Sequence, residues 1–154
     1  PVIMALPSAD INRIANMNPS VDLEKAKENN YTLKIDKRKL QNAASTSTVS
    51  TWEKTIKNDE QQLGAALNNQ YQAVLQAKTA YDQAQTDLAL ETKNMETVQR
   101  KYDLKMVSKL EYLQAQAAYV EKQVGSITAD MKLLQAMDTY DWAVRGLLNL
   151  SAAQ

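Results

Sequence analysis

Residues 58–104 read NDEQQLGAALNNQYQAVLQAKTAYDQAQTDLALETKNMETVQRKYDL. Apolar or aromatic side chains return there every seven residues, and a second column accompanies the first. A heptad repeat of this kind is typical of a helix that packs along a neighbouring helix. At 1.5 Å per residue, the predicted helix is roughly 70 Å long. The members of the two columns are Leu67, Val74, Tyr81, Leu88, Met95 and Tyr102, and Leu63, Ala77, Ala84 and Val98.

A second stretch, from Ser108 onward, repeats the heptad pattern and predicts another long helix. If the heptad register is continued, aspartates fall in the seam, that is, at the positions that contact the neighbouring helix. An apolar row shifted by one residue begins instead at Met137. We therefore expect a register slip near residues 135–137. The columns before the slip are Leu110, Ala117, Val124 and Met131, and Leu113, Val120, Ile127 and Leu134; the stripe after it is Met137, Tyr140, Val144 and Leu147.

The two long helices are separated by a short segment that must reverse the chain. Ser108 is followed three residues later by Glu111, which is the capping box that opens a helix. A short reversal makes the two helices an antiparallel hairpin with its tip at residues 104–108.

The preceding part of the chain predicts a third helix packed along this hairpin. Its helix begins at Asp22, which can accept the free N–H groups of the first turn. The hydroxyl-rich residues 44–57 predict a loop or a frayed helix. All three prolines lie in residues 1–20, which we interpret as a linker with one short turn around residues 10–17. The predicted fold is all-α, with a single helical domain over residues 21–154.

The composition excludes several classes of function. The 154 residues contain no histidine and no cysteine, which removes imidazole bases, thiol nucleophiles and Cys/His metal sites. Eighteen basic residues balance eighteen acidic ones, so there is no positive excess for binding nucleic acid. No segment approaches the roughly 20 apolar residues of a membrane span. Adjacent carboxylates such as Asp59 and Glu60 are expected on open helix surface. We predict that the chain is not an enzyme and has no cofactor and no metal.

The pattern resembles the TolC-type outer-membrane efflux and secretion channels. The segment Asp22–Asn30, followed by Leu33, is similar to the opening of that family's repeat. The run from Lys101 through Ser108 and Glu111 is similar to its hairpin turn, with Lys105 where the family usually has Gly. The resemblance covers residues 18–150, which correspond to one helical repeat without the two membrane-barrel strands that members carry between the first two helices.

The resemblance implies a structural subunit of an efflux or secretion conduit in the cell envelope, on the periplasmic or cell-surface side. Copies would associate through helix flanks. The hairpin tip would meet the coiled-coil tip of a periplasmic adaptor (membrane fusion) protein. The residues that would contact this partner are Leu104, Lys105, Met106, Val107, Ser108 and Lys109.

A different class of protein also fits the pattern. A coiled-coil scaffold, such as a spectrin-like three-helix bundle, or an adaptor hairpin would have the same heptads and no conduit role. The apolar tip residues would then only close the end of the hairpin.

Overall fold

The computed structural model describes residues 7–150, and the regular elements within that range are all α-helices. The predicted all-α class is therefore confirmed. In chain order the helices of this range are α1 (Asn12–Ala15), α2 (Pro19–Asn29), α3 (Tyr31–Gln41), α4 (Thr46–Asp103) and α5 (Lys109–Val144).

Helix α4 begins at Thr46, so the loop or frayed helix predicted over residues 44–57 is wrong from Thr46 onward. The side chain of Ser45 accepts a backbone N–H three residues ahead at 3.2 Å and thereby caps the helix. The hydroxyl of Thr51 donates to the carbonyl of Ser47 at 3.0 Å. Hydroxyl side chains lower helix propensity, but hydrogen bonds of this kind satisfy them within the helix, and no Gly or Pro ends it.

The single helix predicted from Asp22 is in fact two helices. Helix α2 begins earlier, with Pro19 as its first residue and with the side chain of Asn18 accepting two N–H groups of the first turn. Asn30 separates α2 from α3 because its backbone is extended, with ψ of 124°. Its side-chain oxygen accepts the N–H of Leu33 at 3.1 Å, so the residue that ends α2 also caps α3.

The contacts divide the chain into two compact units. The hairpin unit consists of Leu75–Gln135 and the described residues 7–9, and the cluster unit consists of Asp10–Val74 and residues 136–150. Helices α4 and α5 each contribute to both units. The predicted boundaries of a linker over residues 1–20 and one domain over residues 21–154 stay predictions.

In the hairpin unit, α4 and α5 are antiparallel, as predicted. Tyr102 stacks on Tyr112 with 4.6 Å between the ring centres, and the side-chain amide of Gln85 donates to the hydroxyl of Ser126 at 2.9 Å. From the first contact to the second, the residue number falls from 102 to 85 on α4 and rises from 112 to 126 on α5. The two helices therefore run in opposite directions. The α4 columns face inward in this unit, and their half-buried members are Ala77, Tyr81, Ala84, Leu88, Met95, Val98 and Tyr102.

The seam predicted for α5 is wrong, because its apolar columns do not face α4. Tyr112, Lys122 and Ser126 contact α4, and Ser126 is buried. Tyr112 lies two residues after Leu110, which is a rotation of about 200° around a helix of 3.6 residues per turn. The predicted columns therefore lie on the opposite side of α5. Their large exposed members are Leu110, Leu113, Val120, Val124, Ile127 and Met131, with side chains 46–65% exposed.

The inward side of α5 has its own heptad column, and this column has no register slip. Its members are Tyr112, Tyr119, Ser126, Leu133 and Tyr140, of which the last three are buried. Met137 is buried as predicted and Val144 is half-buried, but Leu147 is 72% exposed, so the predicted terminal stripe is correct only in part.

The core of the cluster unit joins α2, α3 and α4. Ala26, Leu33 and Leu63 are fully buried against one another, and Leu150 closes the same core. The hydroxyl of Tyr140 donates to the carboxylate of Asp22 at 2.7 Å. The predicted packing of an additional helix along the α4 helix is thus confirmed within this unit, with α2 and α3 as its two parts.

Helix α5 ends in the cluster unit at Gly146, where the backbone is left-handed, with φ of +85°. The N–H groups of Gly146 and Leu147 donate back to carbonyls in the last turn of α5, at 3.1 and 3.0 Å. A Cβ on Gly146 would lie 2.4 Å from the carbonyl oxygen of Asn29. The side-chain amide of Asn30 donates to the carbonyl of Leu148 at 2.9 Å, so the segment after the helix is fixed against the junction of α2 and α3.

Candidate interaction surfaces

The predicted hairpin tip is a compact turn at the end of α4. The N–H of Lys105 donates to the carbonyl of Tyr102 at 2.9 Å, and the N–H of Met106 donates to the carbonyl of Lys101 at 2.8 Å. Lys105 is left-handed, with φ of +58°. These are the hydrogen bonds of a Schellman motif, whose left-handed position is most often Gly. Lys105 therefore adopts the left-handed turn without Gly at this position.

The tip residues named from the sequence differ in exposure. Leu104 is 71% exposed and Met106 is 69% exposed, although the residue at the position of Met106 in a Schellman motif commonly packs back onto the helix. Lys105 and Lys109 are also exposed, whereas Val107 is half-buried. The turn therefore presents two apolar side chains, rimmed by lysines, and keeps one apolar residue inside. We name residues 104–109 the tip surface.

The start of α5 has the predicted capping box. The N–H of Ser108 donates to the carboxylate of Glu111 at 2.7 Å, and the N–H of Glu111 donates to the hydroxyl of Ser108 at 3.2 Å. The hydrogen bond from the Ser108 backbone is the main reason that the pKa of Glu111 is lowered. Because the carboxylate fixes the first turn of α5, the end of the tip surface has a defined backbone.

The second candidate surface is the apolar side of α5. We name it the α5 stripe, and its residues are Leu110, Leu113, Ala117, Val120, Val124, Ile127 and Met131. All seven are exposed, and none of them is charged. Single exposed apolar residues are ordinary on protein surfaces, but a continuous apolar row marks an interaction site. The row extends over about 32 Å of helix at 1.5 Å per residue.

Two carboxylates in the cluster unit are buried together. Asp36 on α3 and Asp59 on α4 are 5% and 8% exposed, and the Asp36 carboxylate lies close enough to act on the pKa of Asp59. Burial, together with the neighbouring Asp36, raises the pKa of Asp59. The expectation that Asp59 lies on open helix surface is therefore wrong. Lys39 lies 3.4 Å from Asp36 and 4.5 Å from the centre of the Trp52 ring, so it partly compensates the negative charge.

Residues 7–150 also contain a groove, but no cluster of metal ligands. Within this range, no group of three or more acidic side chains is placed to hold a metal ion. A groove of about 580 Å³ lies between α3 and the segment after α5, and its lining includes Ile35, Asp36 and Gly146. No helix in the described part of the chain has the length and apolar character required to cross a membrane.

The chain was compared with known proteins in three ways. No protein-family model, no curated protein and no solved structure matches it. The assignment of function therefore depends on the geometry of the two surfaces and on the sequence resemblance.

The exposed α5 stripe is the feature that sequence reasoning placed on the wrong side of the helix. The signal that identifies the inward side is the second heptad column in the same helix, formed by Tyr112, Tyr119, Ser126, Leu133 and Tyr140. This column continues to Tyr140 without a change of register, whereas the apolar columns require one. A helix with two heptads can bury one of them within the chain and leave the other for a partner.

Proposed function

We propose that the chain is a structural helical subunit of a TolC-like efflux or secretion conduit in the cell envelope. Copies associate through helix flanks, and a membrane fusion protein, the periplasmic adaptor, docks at the tip surface. The single observation that carries the proposal is the exposure of Leu104 and Met106 on an ordered turn. An apolar centre with a charged rim is the usual composition of a small protein interface.

The tip proposal is tested with the purified coiled-coil hairpin domain of a membrane fusion adaptor, titrated into the full chain by calorimetry. We expect the double variant Leu104→Glu with Met106→Glu to weaken binding at least tenfold. Both side chains are exposed, so helicity and melting temperature should change little. Val107 is left intact because it is half-buried and its substitution would also report on stability.

Leu90→Glu is the matched control, because Leu90 is 69% exposed on α4 in the same unit but lies outside the tip surface. We expect it to bind the adaptor hairpin as the wild type does. Failure of the wild-type chain to bind, or equal affinities for the tip variant and the wild type, would remove adaptor docking from the proposal.

A coiled-coil interaction module without a conduit is the second candidate function, and the α5 stripe favours it. An apolar heptad row on an exposed helix fits another amphipathic helix and requires neither a ring of subunits nor an adaptor. The two candidates differ in which surface is used. Loss of partner binding on changing the stripe, with no effect of the tip variant, would favour the module.

A further inference from the structure

We infer that the α5 stripe is the contact surface for a second copy of this chain, and that the two α5 helices pair antiparallel about a two-fold axis. This inference goes beyond the proposed function, because an antiparallel pair is a different assembly from a ring of hairpins that all point the same way. It requires no adaptor. Three features of the stripe support it, namely its exposure, its heptad spacing and the charges on its flanks.

The stripe can act as its own partner because it supplies both halves of a coiled-coil interface. Its residues alternate in steps of three and four over more than three heptads, which is the arrangement of knobs and holes between two helices. An isologous pair uses the same patch twice, so a patch that is complementary to itself is sufficient. Each end of the row is covered when the two copies run in opposite directions.

In one antiparallel alignment of the two helices, every residue of the stripe faces an apolar residue of the other copy. Val120 of one copy then faces Val124 of the other, Ala117 faces Ile127, and Leu113 faces Met131. Leu110 faces the half-buried Leu134, which ends the row. A shift by one heptad in either direction leaves apolar residues at both ends without a partner, so hydrophobic burial favours this register.

The flanking charges favour the same register. The residues beside the stripe are Lys109, Gln114, Gln116, Glu121, Gln123, Thr128, Asp130 and Gln135, and only three of these are charged. In the antiparallel register, Lys109 of each copy lies beside Asp130 of the other, which gives two ion pairs. In a parallel pair, Lys109 lies beside Gln114 and Asp130 lies beside Gln135, and no ion pair forms. Flanking charges of this kind select the orientation of coiled coils.

Asp130 can accept a lysine of a second copy, although it already has one partner within the chain. It is half-buried, and one of its carboxylate oxygens accepts the N–H of Ala9 at 3.0 Å, within the hairpin unit. A carboxylate has two oxygens and accepts several hydrogen bonds, so a lysine of a second copy is an additional partner. The N–H of Ala9 also holds the aspartate in place for that contact.

The pair leaves Leu104 and Met106 of the tip surface free, because residues 104–108 precede the stripe, and of the tip surface it uses Lys109. It is a closed assembly of two, in contrast to a ring of hairpins that all point the same way. The two-fold pair is therefore a separate assembly state of the chain, and it can be detected independently of a conduit.

The first test is sedimentation equilibrium of the full chain at protein concentrations up to about 1 mM. This range is wide enough to detect a pair with a dissociation constant in the micromolar to millimolar range. We expect a monomer–dimer equilibrium. Val124→Glu places a charge from each copy in an apolar layer and should raise the dissociation constant at least about 100-fold. Gly125→Glu adds the same charge one residue away, where a side chain meets nothing within 4 Å, and should leave the dimer intact.

The second test uses the absence of cysteine from the chain to measure register by disulfide trapping. Val120→Cys and Val124→Cys chains should form a disulfide when mixed and little when oxidised separately, and Ala117→Cys with Ile127→Cys should behave in the same way. The mismatched mixture of Ala117→Cys and Val124→Cys is the control. Disulfides between identical variants would indicate a parallel pair and would overturn the inference.

A charge swap tests the predicted ion pair between Lys109 of one copy and Asp130 of the other. Lys109→Glu should weaken the dimer, and Lys109→Glu with Asp130→Lys should restore it, because the swap recreates both ion pairs. A rescue that is equally large with Glu121→Lys in place of Asp130→Lys would contradict the register.

The outcomes separate this inference from the proposed function. A monomer at every concentration, or equal dissociation constants for Val124→Glu and the wild type, overturns the pair even if the tip binds an adaptor hairpin. A monomer that nevertheless binds a helical peptide of another protein through the stripe overturns it as well. The Leu104→Glu with Met106→Glu variant should still dimerise, so loss of tip binding alone leaves the pair standing.

Discussion

The two long helices end in the same backbone motif in two different surroundings. Helix α4 ends with Lys105 at φ of +58°, and α5 ends with Gly146 at φ of +85°. A Cβ at Gly146 would meet the backbone of Asn29, whereas the residues around Lys105 are exposed. A left-handed position therefore requires Gly where the chain packs against itself and accepts a side chain where it faces solvent. The packed end maintains the fold, and the open end is free to contact a partner.

The largest effect is expected from closing the space at the packed end. Gly146→Ala puts a methyl group 2.4 Å from the carbonyl of Asn29 and strains a left-handed backbone. The backbone cannot move aside as a flexible side chain does, so we expect a loss of about 3 kcal/mol in the free energy of unfolding, measured in urea.

Gly125→Ala is the matched control in α5, because its Cβ meets nothing within 4 Å. It should stabilise the chain by up to about 1 kcal/mol, since Ala is the better helix former. Equal midpoints for the two variants would mean that the end of α5 is not packed as described.

A smaller effect, with a dependence on pH, is expected from the buried carboxylates. The pKa of Asp59 is raised in the folded chain, so the folded state binds a proton more readily than the unfolded state does. Stability should therefore rise as the pH falls from 7 towards the ordinary value of 3.8. Asp59→Asn should remove this rise and stabilise the chain at pH 7 by about 1 kcal/mol.

Glu111, at the start of α5 next to the tip, has the opposite effect on how stability depends on pH. Its pKa is lowered, so its contribution is present above the ordinary value of 4.5 and is lost as the pH falls through the lower folded value. Melting curves of Asp59→Asn, Glu111→Gln and the wild type between pH 3 and pH 7 check both signs. A wild-type melting temperature that falls steadily from pH 7 to pH 5, unchanged in Asp59→Asn, would contradict the assignment.

The smallest effect is expected at the open end itself. Lys105→Gly removes the cost of a left-handed side chain but adds freedom to the unfolded chain, so the gain should be no more than about 1 kcal/mol. Lys109→Gly, in the first turn of α5, is the control and should destabilise instead. If Lys105→Gly destabilises the chain as much as Lys109→Gly does, the turn at the tip is different from the one described.

The sequence was sufficient to predict the elements formed by local rules. The reversal at residues 104–108 and the capping box at Ser108 and Glu111 are confirmed, because turns and caps depend on a few adjacent residues. The inward columns of α4 are also confirmed, since this helix has one strong apolar repeat. The adaptor contact of the tip surface stays a prediction.

The rest depended on contacts that are distant in sequence. The apolar heptad of α5 fits any helix that packs against it, so the sequence alone does not identify α4 as its partner. The side of α5 that does face α4 carries aromatic, small and polar residues. The break at Asn30 is stabilised by the carbonyl of Leu148, which is 118 residues away, and the burial of Asp59 depends on Asp36 from another helix. Neither neighbour is visible in the local sequence.

The hydrogen bond between Gln85 and Ser126 has a mechanical consequence for the hairpin unit. Ser126 is buried, so sliding α5 past α4 by one turn, about 5.4 Å, would leave its hydroxyl without this donor and would separate Tyr102 from Tyr112. The two helices are therefore locked against shear at two points. A force along the hairpin axis, applied at the turn, would have to break both contacts before one helix could slide along the other.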